Sequence, residues 1–160
     1  MAQTTLAKLN YKRAITTFIL AYLVITVLGT ALALTIGAIL HTPATDLPLQ
    51  NAAYVLSERF LPLLNLLVWM TLAWVYFKKP SNRADPRKEA LALGAFWLAV
   101  ALPVDFICFV VIKSPISLSP YDFYIGQFPW IYLIYIIVFV SPLTYVTLAR
   151  AFWQQNYQLD

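Results

Sequence analysis

Asp105 is the residue in this chain that most needs a chemical explanation. It is the only charged group in the apolar stretch Leu91 to Ile112, LALGAFWLAVALPVDFICFVVI, two positions after Pro103. A stretch of that length matches the roughly 30 Å hydrocarbon core of a bilayer. A carboxylate at that depth costs about 3 kcal/mol unless it has a partner, a proton or a watery cavity. Two chemistries meet that requirement. One is a proton- or cation-binding carboxylate in a small transporter. The other is a hydrogen-bonded lock between helices, which needs fewer assumptions.

The groups that could surround Asp105 follow from depth along the spans, at about 1.5 Å per residue. Asn65 on the second span, Tyr135 on the fourth and Thr35 on the first fall near its level. Glu58 and Arg59 lie further out on the second span. The expectation is a polar layer of Asp105, Asn65 and Tyr135, opening to the outside as a vestibule that includes Glu58. Arg59 would reach the carboxylate only if the second helix bent inward at Pro62. Because a short loop joins the second and third spans, they are expected to be neighbours, with Asn65 beside Asp105. Gly94, Ala101 and Cys108, all small, share a face with Asp105 and direct it inward rather than toward lipid.

Enzyme chemistry finds little to build on. His41 is the only histidine and Cys108 the only cysteine, so a disulfide within the chain, a CxxC couple and a bis-histidine haem are all ruled out. A thiol among apolar residues in a membrane stays protonated and inert. The acidic residues are scattered without metal-ligand spacing, and there is no G-x-S-x-G and no phosphate-binding loop. No cofactor and no metal are expected. A lipid-acting membrane enzyme stands third, behind an accessory or interaction protein and a proton- or cation-coupled transporter using Asp105.

The elements that must position these residues are membrane spans. Of 160 residues, 61% are hydrophobic, 16% aromatic and only 11% charged, against about 25% charged in a soluble domain. That much apolar surface cannot be hidden in one core of this size. The expected fold is all-α: an integral-membrane four-helix bundle in one domain, with spans near residues 15–40, 58–77, 91–112 and 130–149. The first run is too long for the apolar part of a signal peptide and reads as a transmembrane helix. Gly29, Ala33 and Gly37 repeat every four residues along it and form a flat stripe. Such a stripe packs within the bundle or against a second copy. Residues 41–48, HTPATDLP, read as a loop. The segment after Pro48 reads as an interfacial helix or as the projecting end of the second span. Pro103 and Ser141-Pro142 free carbonyls near mid-membrane, which marks a binding site in some transporters and a simple kink in many helices.

Charge sets the orientation. With both termini and the 78–89 loop in the cytoplasm, every lysine and arginine except Arg59 and Lys113 lies inside. The net charge of +4 is then loop charge and needs no nucleic acid as partner. The expected partners are the lipid bilayer and a second copy or larger complex in a bacterial plasma membrane. Trp74, Tyr76, Tyr124, Trp130, Tyr132 and Trp153 fall at span ends and supply an interfacial belt. The helix from Glu89 to Trp97, EALALGAFW, and the loop from Ser119 to Gln127, SPYDFYIGQ, resemble a group of small four-span bacterial membrane proteins. There a G-x-x-W helix carries an acidic residue and a D-[FY] loop precedes the last span. The resemblance covers the second half of the chain and implies no activity.

Overall fold

The computed structural model describes residues 9–42, 48–78, 85–114 and 116–156, the last five without their side chains. Outside it lie Lys8, loop residues 43–47, residues 79–84 with Lys79 and Arg83, and the side chain of Trp153. Among the described residues four helices are long and apolar enough to cross a membrane: α1 (Tyr11–Leu40), α2 (Ala52–Phe77), α3 (Pro86–Phe106) and α4 (Trp130–Asn156). The expected four-helix bundle is the fold.

The helix starts are written in the sequence. Asn10 caps α1 by accepting from the Arg13 amide, and Asn51 caps α2 by accepting from Ala53 and Tyr54. Asp85 caps α3 through the Arg87 amide, with Pro86 in its first turn. Each cap satisfies a donor that the helix leaves open. Pro48–Gln50 form a single tight turn, so the segment after Pro48 is the projecting end of α2, which runs unbroken through Pro62. Beyond Phe106 the third span widens into a π-type turn, Ile107–Val111, and a second such turn, Asp122–Gly126, lies in the link to α4.

We call the end carrying the start of α1, the α2–α3 link and the end of α4 the near end, and the opposite end the far end. Around the bundle, α2 packs against α1 and α4, and α3 packs against α4, while α1 and α3 touch only lightly. The expectation that the second and third helices are neighbours is therefore corrected: they sit diagonally. The cause is visible at Gly94, where a Cβ would stand 2.0 Å from the Phe139 carbonyl oxygen. The missing side chain lets α3 lie directly on α4, and α2 takes the opposite corner.

The near half is filled. Phe18, Trp69 and Trp97 stack across the core with ring centroids 5.6 and 5.1 Å apart. Trp97 donates its indole N–H to the Ala14 carbonyl at 3.1 Å, and Tyr11 meets Phe96 edge-on, which closes α1 against α3 here. Below them the buried Tyr76 donates to the buried Glu89 at 2.6 Å and accepts from the Asn10 amide. Arg13 lies over the Tyr76 ring and donates to the Val75 carbonyl. The far half differs: on α1, no residue from Tyr22 to Thr35 is buried, whereas Ala14, Thr17, Phe18 and Ala21 are. Past Tyr22, α1 stands away from α3.

Candidate functional site

The space left by that separation is a cavity of about 710 Å³ in the far half of the bundle. One wall is α1 from Tyr22 to Ala38, a rise of about 24 Å. The opposite walls are α2 from Asn51 to Trp69, Ala101 and Asp105 on α3, and α4 from Trp130 to Val138. Ile116, Leu118, Phe123 and Gln127 from the α3–α4 link cover its far side. The floor is Trp69, part of the aromatic stack that fills the near half. Most of the lining is hydrocarbon and aromatic ring, interrupted by two polar clusters.

The first cluster is centred on Asp105. The Tyr22 hydroxyl donates to its Oδ1 at 2.6 Å, joining α1 to α3 where the two helices begin to separate. The Tyr135 hydroxyl from α4 stands near the same carboxylate but makes no hydrogen bond of ordinary geometry. Asp105 itself is half-buried and faces the cavity.

The second cluster is centred on Glu58, which is buried. Gln127 donates through Nε2 to the Glu58 carboxylate and, at 2.7 Å, to the Tyr54 hydroxyl. An ionised carboxylate accepts only, so with Glu58 ionised the Gln127 amide turns its nitrogen toward it. The Gln127 Oε1 is then buried with no partner. Such an orphaned acceptor costs about 1–3 kcal/mol in a protein interior. With the Tyr135 hydroxyl, it gives the cavity two buried polar atoms whose hydrogen bonds are unspent.

All four residues of the expected polar layer and vestibule, Asp105, Asn65, Tyr135 and Glu58, line this one cavity. The expected contact between Asn65 and Asp105 is not made. Asn65 instead donates to the Leu61 carbonyl and accepts from the Trp69 indole at 3.0 Å. Both partners lie on its own helix, as the diagonal placement of α2 and α3 requires. Thr35 is outside the lining and donates to the Ala31 carbonyl. Arg59 is exposed and outside the lining. Gly29, Ala33 and Gly37 form part of the α1 wall. Cβ atoms on the two glycines would stand 3.1 Å from Leu61 and 3.7 Å from Ala53, both on α2.

Three site residues escaped the sequence reading: Tyr22, Tyr54 and Gln127. Tyr22 had a usable signal, being a hydroxyl in the middle of an apolar span at a level similar to Asp105. Gln127 sits in an aromatic loop that reads equally well as a surface cap. Two motifs behind the bacterial resemblance have structural roles here. Gly94 and Trp97 fix helix contacts, and Ser119 and Asp122 close a turn on each other, the serine hydroxyl donating at 2.8 Å. Among the described residues no group of His, Cys, Asp and Glu is placed to hold a metal ion. The chain matches no family model, and no curated protein or solved structure is significantly similar to it.

Proposed function

We propose that this is a non-enzymatic membrane protein whose far-end cavity holds a small amphipathic molecule taken from the bilayer or the adjoining aqueous phase. One observation carries the reading. A cavity of about 710 Å³ falls within the range of ligand sites, which are mainly apolar with a few placed polar groups. It is bounded by α1, the helix least buried in the bundle, so the seam beside α1 is the natural way in from the lipid. The plasma membrane, with both termini and the 78–89 loop in the cytoplasm, is the setting supported by the distribution of lysine and arginine. The far end then faces outward.

Transport coupled to Asp105 is the second reading, favoured by the position of this carboxylate inside the cavity. It requires a path past Phe18, Trp69 and Trp97, whose rings fill the bundle below. Holding a molecule requires no such opening, which is why binding is put first.

The test is photolabelling of the protein in nanodiscs with a diazirine-bearing fatty alcohol. Adducts concentrated on Leu61, Ile134 and the Gly29–Ala38 segment, and removed by excess unlabelled alcohol, support the proposal. Labelling spread over lipid-facing residues such as Leu23, Val27 and Ile136, and not competed, overturns it.

A further inference from the structure

The charge that faces the cavity has one sign. Glu58 and Asp105 are both carboxylates, and the Gln127 Oε1 is a carbonyl-type acceptor with no partner although Gln127 is only 8% exposed. The Tyr22 hydroxyl already donates to Asp105, so what it has left to offer is lone pairs. The Tyr135 hydroxyl, on a residue 7% exposed, stands beside Asp105 without a hydrogen bond of ordinary geometry. Among the described residues no lysine, arginine or histidine lines the cavity. Arg59 is exposed and outside the lining, and Lys113, also outside it, donates to the Val110 carbonyl. Two carboxylates inside an apolar wall without a cation favour an occupant that brings one.

We infer that the molecule held here is a lipophilic cation carrying N–H donors, an amine on a hydrocarbon or aromatic body. Its ammonium group lies against the Glu58 carboxylate and the Gln127 Oε1, and its body fills the apolar length beside α1, while Asp105 adds a second negative charge to the same cavity. The inference rests on the cavity being a binding site and adds the charge and donor chemistry of the ligand. Neutral alcohols would satisfy Gln127 Oε1 but leave both carboxylates without a counter-charge. Anions would meet two like charges.

The experiment is calorimetric titration of the full chain in zwitterionic nanodiscs with three probes of one length, blank nanodiscs subtracted. The probes are 4-phenylbutylamine, 4-phenylbutanol and 4-phenylbutyrate. An alkylamine is protonated at pH 7, its pKa lying near that of lysine at about 10.4. The expected result is saturable binding of the amine, at least about tenfold tighter than the alcohol, with the carboxylate weakest. Asp105→Asn and Glu58→Gln should each narrow the amine-to-alcohol ratio. The wild-type ratio alone is decisive if either variant fails to fold. Equal binding of amine and alcohol overturns the cation inference and leaves the cavity reading standing, as does preference for the carboxylate. Absence of saturable binding by any probe overturns both.

Discussion

The two ends of the bundle use the same device and put it to opposite ends. At the near end Tyr76 donates to Glu89 at 2.6 Å, and at the far end Tyr22 donates to Asp105 at 2.6 Å. Around the first pair the Arg13 guanidinium lies over the Tyr76 ring, and Tyr76 and Glu89 are 0% and 2% exposed. Around the second pair α1 has moved away and the carboxylate looks into open space. A buried carboxylate with a tyrosine donor is thus not in itself a sign of function. The distinguishing features are the space beside the carboxylate and the hydrogen bonds its neighbours leave unmade.

If that contrast is right, substitutions at the two ends should differ in what they damage. The largest effect belongs to Trp97→Ala, which empties the near core and removes the donor to Ala14. A loss of about 3–5 kcal/mol is expected, read as a lowered midpoint of unfolding in detergent. A loss below about 1 kcal/mol would show that the near end is not the closed half. Next comes Glu89→Ala, which strands the buried Tyr76 hydroxyl's proton and should cost about 1–3 kcal/mol. The matching change at the far end, Asp105→Ala, should cost less than about 1 kcal/mol. There the freed Tyr22 hydroxyl faces a cavity rather than packed side chains. Equal losses for the two alanine variants would erase the contrast. The smallest effect is expected of Ala33→Phe, which places a ring in the cavity opposite α2 and α4. Its unfolding midpoint should correspond to a change within about 0.5 kcal/mol, because it fills space without displacing a packed neighbour.

Much of this was legible in the residues. Four spans follow from apolar runs of the right length, whereas the helix from Pro48 onward begins only at Ala52, where Asn51 caps it. The cavity's four sequence-derived residues could be grouped because depth along a helix is read by counting. What counting does not supply is which helices share an edge. Short loops make α2 and α3 plausible neighbours, yet the absent Cβ of Gly94 commits α3 to α4, and Asp105 meets Tyr22 instead of Asn65. The near-end pair of Tyr76 and Glu89 was missed for a related reason. Tyr76 reads as an interfacial aromatic and Glu89 as loop charge, and only the fold buries them together. The stripe of Gly29, Ala33 and Gly37 marked a close approach, but not that it would also form a cavity wall.

The central claim is that the far half of the bundle is a hollow built to be occupied. The most direct measurement is competed photolabelling with the diazirine alcohol on wild type and on Ala33→Phe side by side, both checked for an unchanged unfolding midpoint. The account predicts saturable labelling of Leu61 and Ile134 in wild type, lost in Ala33→Phe. Labelling of the same residues to the same extent in both proteins, or none that is competed in wild type, would contradict it.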